Sequence, residues 1–211
     1  MEEQKIIFTP RLTEAVDYAR EHHTETRKGT SIPYLAHLFG VAALVMAETD
    51  GAIPVTEEMV VAALLHDVVE DHGGLPRLRE VERRFGAIVA RMVEGLSDSL
   101  SEDSKAKASW EERKRGYLER LRTEPDQVLL ISVADKLYNA KSMLDDYRVV
   151  GDQLWLRFKR GADEQLWYFD ELLEIFHARM QARTVDEFAR VVAELKNLVE
   201  GCSETRQIEH A

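Results

Sequence analysis

The stretch Met59-Val60-Val61-Ala62-Ala63-Leu64-Leu65-His66-Asp67-Val68-Val69-Glu70-Asp71 joins an unbroken apolar run to one imidazole and three carboxylates. At about 100° per residue in an α-helix, Asp67, Glu70 and Asp71 fall roughly 100°, 40° and 140° around the axis from His66, so all four side chains can face one cleft. Like charges this close at the end of a buried helix resist desolvation unless a cation or a shared proton stabilises them. The stretch therefore predicts a buried helix that leads into a metal site.

Two further residues are candidate ligands for the same ion. His37 lies on the apolar segment 34–49, and Asp135 interrupts the apolar segment 128–137. Taken alone, a histidine on an apolar helix face is more often a packed core residue, and Asp135 could cap a helix or pair with a neighbouring lysine. Together with His66 and Asp67 they supply two imidazoles and two carboxylates, a set that suits Mn²⁺, Fe²⁺, Zn²⁺ or Co²⁺.

The hydrophobic pattern predicts an all-α protein. Apolar residues recur at helical spacing almost throughout and strand-like alternation is nearly absent, which indicates a compact single-domain fold of about nine helices. Thr56 ahead of two glutamates, and Thr184 with Glu187 as a capping box, are typical helix starts. The length of 211 residues favours one domain, which we expect over residues 1–201, with residues 202–211 as a polar C-terminal tail.

Composition excludes several classes of function. The single cysteine, Cys202, rules out a disulfide framework and a cysteine zinc cluster, and it fits a reducing cytoplasm. The N-terminus has no secretory leader, and no apolar run approaches the roughly 18 residues needed to span a bilayer. We therefore expect a soluble cytoplasmic protein without a membrane partner. The formal net charge of −11 argues against nucleic-acid binding, which needs broad phosphate neutralisation.

An acidic protein with a phosphorylated substrate needs local positive charge. Arg27 and Lys28, shortly before His37, provide it. Lys105, Lys107 and residues 113–115 provide more, unless this second group is only a solvated, charge-mixed surface. Residues 97–109, which include part of this group, are either a lid beside the site or a surface loop.

The order of His37, then adjacent His66-Asp67, then a distant Asp135 resembles the HD superfamily of metal-dependent phosphohydrolases. The flanking residues sharpen the resemblance. They are Arg27-Lys28, Pro33-Tyr34, Leu64-Leu65-His66-Asp67-Val68-Val69-Glu70-Asp71, Phe85-Gly86 and Ala134-Asp135-Lys136-Leu137-Tyr138-Asn139. These motifs look like the hydrolase domain of RelA/SpoT enzymes, and the Glu70-Asp71 pair is the discriminating element. The chain has no room for a synthetase half, so it resembles a stand-alone small alarmone hydrolase of the metazoan SpoT-like type.

Three residues depart from the family pattern. Glu25 stands where Gln is usual, Leu38 follows the first histidine ligand where Pro is common, and His72 replaces the usual Thr after Glu-Asp. None of these changes removes a metal ligand, so they bear on the shape of the substrate pocket rather than on the reaction. His22 occupies the family's helix-end histidine position, and we expect it, His72 and His177 to be structural or surface residues.

The resemblance implies a reaction and a cofactor. The reaction is hydrolysis of the 3′-pyrophosphate of guanosine 3′,5′-bis(diphosphate), ppGpp or pppGpp, to GDP or GTP and pyrophosphate, with the adenosine analogue as a second candidate substrate. The cofactor is one Mn²⁺ per chain, which would lower the pKa of water and polarise phosphorus. Two alternatives remain: a general HD nucleotidase or phosphatase acting on another phosphorylated nucleotide, including NADPH, and a non-catalytic nucleotide-sensing module.

The residues around the metal ligands have expected roles. Glu70 and Asp71 would orient and deprotonate the attacking water, with Glu70 as the base because it lies nearest His66 on the helix face. Asp71 alternatively only ends the helix before Gly73. The expected substrate-binding residues are Arg27, Lys28, Asn139, Lys107 and Tyr168. The sequence does not predict an oligomeric state.

Overall fold

A computed structural model describes residues 6–101 and 108–209, with side chains as far as Gly201. Its α-helices, in chain order, are α1 (Pro10–His22), α2 (Leu35–Ala47), α3 (Glu57–Leu65), α4 (Val68–Asp71), α5 (Gly74–Phe85), α6 (Ala87–Leu96), α7 (Trp110–Leu121), α8 (Asp126–Val150), α9 (Ala162–Arg179) and α10 (Arg183–Glu209). A 3-10 helix, Gly151–Arg157, follows α8. The all-α class is confirmed: nine of these helices have at least nine residues. The only β-type pairing within the described residues is an isolated bridge between Thr26 and Pro33.

Helix α3 is enclosed by its neighbours. It begins after Thr56, whose hydroxyl accepts a hydrogen bond from the Met59 amide at 3.4 Å, so the predicted helix start is confirmed. Every residue from Met59 to Leu65 is buried, and α1, α2, α6 and α8 pack around the helix. A helix that is apolar on all sides has no face for water, so its burial follows from its sequence.

Helix α8 connects most of the molecule. It packs against α2, α3, α6, α9 and α10, and its segment from Val128 to Ala134 is fully buried. Because α2, α3 and α8 contact one another pairwise, positions on these three helices that are far apart in sequence meet in the interior. His37 on α2, His66 at the end of α3 and Asp135 on α8 are such positions.

The structure corrects two predicted helix boundaries. α3 ends at Leu65, and His66 and Asp67 form a turn before α4, although both keep right-handed helical φ and ψ angles. The predicted capping box at Thr184 is wrong, because α10 begins one residue earlier, at Arg183. The Thr184 amide instead donates to the Glu48 carboxylate at 2.7 Å, a partner from a distant part of the chain.

The two longest helices, α8 and α10, have 25 and 27 residues. Both carry charged residues along their length, and none of the helices within the described residues is long and apolar enough to cross a membrane. α10 continues to Glu209, so the backbone of residues 202–209 is helical where the sequence predicts a polar tail. The domain boundary at residue 201 stays a prediction.

A close approach between α2 and α8 occurs at Gly40. A Cβ atom added there would lie 1.9 Å from Cε2 of Tyr138, which is impossible without movement of the ring. The same tyrosine ring packs edge-on against His37, with the ring centroids 5.2 Å apart. Gly40 therefore permits the contact that supports the first histidine of the predicted metal site.

We expect Gly40→Ala to destabilise the fold by about 1–3 kcal/mol, the usual cost of overpacking an interior contact. Gly116→Ala is the matched control, because Gly116 is on the exposed face of α7 and a Cβ there would meet nothing within 4 Å. The control should stabilise by about 1 kcal/mol, since alanine is the better helix former. Urea unfolding of both variants measures the difference, and equal effects would refute the close-packing role of Gly40.

Candidate metal and active site

The two predicted histidine ligands face each other in the interior. His37 and His66 are both buried, and their Nε2 atoms lie 3.1 Å apart. His66 Nδ1 donates to the Ala63 carbonyl at 2.7 Å, which leaves the Nε2 lone pair for the site. His37 Nδ1 is buried without a hydrogen-bond partner among the described residues. Two imidazole nitrogens at this separation fit neighbouring ligands of one cation.

The two predicted carboxylate ligands complete the cluster. Asp67 Oδ2 lies 2.9 Å from His66 Nε2 and 3.4 Å from His37 Nε2. Asp135 Oδ1 lies 3.3 Å from His37 Nε2 and 3.7 Å from His66 Nε2. Ligands about 2.1 Å from an ion lie about 3.0–3.4 Å from one another. The structure thus brings His37, His66 and Asp67 together as a group that could hold a metal ion, with Asp135 within 3.7 Å of both histidines. The assignment of the four residues as ligands stays a prediction.

Each carboxylate is held by hydrogen bonds from further residues. The Tyr34 hydroxyl donates to Asp67 Oδ2 at 2.5 Å. Asp135 accepts from Lys136 Nζ at 2.5 Å and from Asn139 Nδ2 at 2.7 Å. Such donors fix the orientation of a ligating carboxylate.

Arg27 connects to the metal cluster through Asn139. Its Nη2 donates to Asn139 Oδ1 at 3.0 Å, and its guanidinium carbon lies 5.3 Å from the centre of the Tyr138 ring. Lys28, the second predicted basic residue of this loop, points elsewhere: it is exposed, and its ammonium group lies 5.4 Å from the Phe158 ring. The structure therefore brings Arg27, but not Lys28, into contact with residues around the metal cluster.

The charges of the cluster support one another. Burial alone would lower the pKa of His66, but the Asp67 and Asp135 carboxylates hold it well above the ordinary value. Burial alone would raise the pKa of Asp67, but the adjacent His66 and His37 hold it well below the ordinary value. This arrangement favours a protonated His66 beside charged carboxylates, and a metal ion that binds the same atoms would have to displace that proton.

Glu70 and Asp71 lie on the wall of a polar cavity of about 240 Å³ beside the metal ligands. The other residues lining the cavity are Tyr34, Asp67, Leu96, Asp98, Lys114, Tyr117, Asp135, Lys136, Asn139 and Tyr168. Two of the predicted substrate-binding residues, Asn139 and Tyr168, are therefore at the cavity. Asp71 is also the last residue of α4, so its position fits both predicted roles, orienting the attacking water and ending the helix. Lys107 lies outside the described residues.

Glu70 is in an unusual electrostatic environment. Its Oε2 accepts from the Asp98 amide at 3.1 Å, and burial together with the Asp98 carboxylate raises the pKa of Glu70 to about 8. Asp98 stays charged, because burial is outweighed by Lys114 at 2.9 Å and Arg113 at 2.5 Å, which hold its pKa well below the ordinary value. Burial and Asp98 thus favour the protonated form of Glu70, and further positive charge near its carboxyl group would favour the carboxylate.

Several cavity residues had no predicted role. Tyr34 and Lys136 were visible in the motifs, but only the structure shows that they hold the two carboxylates. Lys114 belongs to the basic group at residues 113–115, and it faces Asp98 rather than bulk solvent. Asp98 gave no signal of its own, because its partner Glu70 is 28 residues away in sequence.

Comparisons with known proteins find relatives of this chain. The model of the HD domain family matches residues 15–153. The guanosine-3′,5′-bis(diphosphate) 3′-pyrophosphohydrolase MESH1 of Danio rerio is 39% identical over 137 residues, which cover 63% of this chain and 68% of that protein. The Homo sapiens MESH1 is 38% identical over 135 residues, which cover 63% and 69%.

Two solved structures share the fold. A metazoan ortholog of SpoT, described as hydrolysing ppGpp, aligns with a TM-score of 0.64 at 22% identity, covering 93% of this chain and 98% of its own. The lmo0812 protein of Listeria monocytogenes EGD-e aligns with a TM-score of 0.60 at 33% identity, covering 74% and 96%.

The chain therefore belongs to the HD domain family, whose members carry a divalent metal. Within that family its similarity to the MESH1 proteins confirms the predicted metazoan SpoT-like type of hydrolase.

We expect His66→Ala to lower the content of divalent metal by one ion per chain, because the substitution removes a ligand whose lone pair no neighbour replaces. His177→Ala is the control, since His177 is an exposed histidine on α9. Elemental analysis after Mn²⁺ loading gives the stoichiometry, and circular dichroism checks the fold. Equal metal content in the two variants would refute His66 as a ligand.

The raised pKa of Glu70 is measurable in metal-free protein. Carbon NMR of ¹³C-labelled glutamate carboxyls should show one group titrating near pH 8, and Glu70→Gln should remove that signal. Addition of a divalent ion should move the midpoint downward, because nearby positive charge favours the carboxylate. A Glu70 signal with an ordinary midpoint in the metal-free protein would contradict the pairing with Asp98.

Proposed function

We propose that this protein is a metal-dependent hydrolase that removes the 3′-pyrophosphate of guanosine 3′,5′-bis(diphosphate) as pyrophosphate. The observation that carries the proposal is the four-ligand cluster beside a polar cavity with Glu70 and Asp71 on its wall. The MESH1 relatives, which are named for this reaction, support the same substrate. The adenosine analogue is the second candidate, because the described cavity residues do not select between the two bases.

We propose Mn²⁺ as the ion, on the strength of the family resemblance and the nitrogen-and-carboxylate ligand set. His37, His66, Asp67 and Asp135 would hold it. When bound, a divalent ion supplies Lewis-acid stabilisation of a phosphoryl oxygen and lowers the pKa of water. The working compartment would be the cytoplasm, in keeping with the single cysteine.

The acidic residues of the cavity would handle the proton. Glu70 would accept a proton from the attacking water, and its pKa of about 8 without an ion places it close to the operating pH of a general base. Asp71, on the same wall of the cavity, would orient that water. The Asp98 amide donates to Glu70 Oε2 and would hold the Glu70 side chain in position.

The basic and hydroxyl groups of the cavity would hold the substrate. Lys114 and Lys136 line it and supply positive charge for phosphate oxygens in an otherwise acidic protein. The Tyr168 hydroxyl is buried there without a hydrogen-bond partner among the described residues. An unpaired buried hydroxyl is costly, so a substrate oxygen that pairs with it would gain binding free energy.

Arg27 and Asn139 would act at the edge of the cavity. Asn139 lines it and bonds to both Asp135 and Arg27, so it joins the metal cluster to the loop that precedes α2. The guanidinium plane of Arg27 suits stacking on a base as well as hydrogen bonding. Lys28, which is exposed, remains a candidate for the outer phosphates.

General-base catalysis contributes about 10²- to 10⁴-fold, so Glu70→Gln should slow single-turnover pyrophosphate release from guanosine tetraphosphate by that factor at saturating Mn²⁺. Asp71→Asn should lose less if Asp71 only orients water. Glu119→Gln, at an exposed position on α7, is the control and should leave the rate unchanged.

Product separation distinguishes the remaining alternatives. Release of orthophosphate instead of pyrophosphate would favour a general nucleotidase or phosphatase, and binding without turnover of any nucleotide in a panel that includes NADPH would favour a sensing module. A near wild-type rate in Glu70→Gln would show that the base is elsewhere.

A further inference from the structure

A second cluster of candidate metal ligands lies outside the site described above. His23 Nδ1 is 2.8 Å from Glu25 Oε1 and 3.2 Å from His72 Nε2, and His72 Nε2 is 3.5 Å from the same glutamate oxygen. These separations are close to the roughly 3.0–3.4 Å expected between neighbouring ligands about 2.1 Å from one ion. Two imidazoles and one carboxylate thus converge on one point.

The three residues come from two parts of the chain, since His23 and Glu25 are two residues apart and His72 is distant in sequence. His23 follows the end of α1, Glu25 lies in the loop before α2, and His72 follows the end of α4. Glu25 and His72 are two of the three positions at which the sequence departs from the pattern of the family it resembles. Both departures add a metal-binding group, and the fold brings the two added groups to the same place.

The protein alone does not match all the polar atoms of this cluster well. The His23 side chain is fully buried. Its Nδ1 atom makes both close polar contacts, to Glu25 and to His72, whereas its Nε2 atom has no hydrogen-bond partner among the described residues. One proton on Nδ1 can point at Glu25 or at His72, but not linearly at both. A cation would satisfy the two nitrogens and the carboxylate at once.

We propose that His23, Glu25 and His72 form a second site, for a divalent transition metal of the Zn²⁺ type. Three ligands from imidazole and carboxylate are a familiar zinc set, and the exposed sides of Glu25 and His72 leave room for water as the fourth ligand. Burial lowers the pKa of His23, which keeps its ring neutral and able to bind a metal at physiological pH.

The second site contacts the first through two residues. The ring of His23 stacks on the ring of Tyr34, with centroids 4.9 Å apart and planes inclined by 14°, and Tyr34 donates to the predicted ligand Asp67. His72 follows Asp71 directly in the chain. An ion at the second site would therefore fix Tyr34 and the end of α4, and its role would be to position the cavity residues.

One cation already lies near this cluster. Arg77 donates from Nε to the His72 carbonyl at 2.9 Å and from Nη1 to the Tyr18 hydroxyl at 3.0 Å, and it is paired with Glu80. The Arg77 guanidinium is thus bonded to the His72 carbonyl and paired with the Glu80 carboxylate. It holds the His72 backbone in place while the imidazole faces His23.

Zinc content tests the proposal without reference to hydrolysis. Metal-free protein is equilibrated with Zn²⁺, freed of excess and analysed for metal. We expect two ions per chain in the wild type and one in each of the variants Glu25→Gln and His72→Thr, which carry the residues usual in the family. His22→Gln, a neighbouring histidine outside the cluster, is the matched control and should keep both ions.

Cobalt spectroscopy gives a second readout. In the His66→Ala variant, Co²⁺ should produce visible absorption from the second site, and adding Glu25→Gln should abolish it. The proposal is overturned if Glu25→Gln and His72→Thr bind as much Zn²⁺ as the wild type, or if the cobalt spectrum does not change on Glu25→Gln. Pyrophosphate release by the wild-type protein is measured separately and does not depend on the result of either metal measurement. Failure of the second-site proposal is therefore distinguishable from failure of the proposed hydrolase.

Discussion

The desolvation of the charged residues that are the predicted metal ligands is the constraint on which the rest of the structure depends. Asp135 is on a buried helix, and His37 and His66 are almost fully excluded from water. Buried charges are tolerated only when opposite charges and hydrogen-bond donors replace the lost water. Helices α2, α3 and α8 must therefore pack closely enough to bring ligands of opposite charge together, and the apolar residues around them supply the burial free energy that offsets the cost.

The sequence predicted the parts of this arrangement that depend on local pattern and on chemistry. A run such as Met59 to Leu65, apolar on every side, predicts an interior helix in a chain whose hydrophobic pattern is otherwise helical. Imidazole and carboxylates at its end predict a cation or shared protons. The same reasoning predicted His37 and Asp135, because each is a polar residue inside an apolar segment. The sequence does not show which distant residue each buried polar group contacts in the folded protein.

The missed features show why. Thr184 reads locally as a capping residue, yet its amide bonds to Glu48, 136 residues away, and the helix begins elsewhere. The pKa of Glu70 is raised by burial and by Asp98, a residue that follows α6 and is 28 residues away in sequence. Local propensity is a weak prior when a buried polar group can find a tertiary partner. Predictions from sequence therefore hold best where burial determines the local structure. They fail where a single long-range interaction determines a helix boundary or the pKa of a side chain.

Tyr34 lies between the predicted metal site and the second cluster. Its hydroxyl replaces water for Asp67, and its ring is flanked by His23 on one side and by His37 on another. Because that hydroxyl is buried next to carboxylates, its pKa lies far above the ordinary value and it remains a donor at any physiological pH. The stacking of His23 on Tyr34 therefore connects the second cluster to the donor that orients the predicted ligand Asp67. Because Glu25 and His72 contact His23, which stacks on Tyr34, they adjoin the predicted metal site without being among its predicted ligands.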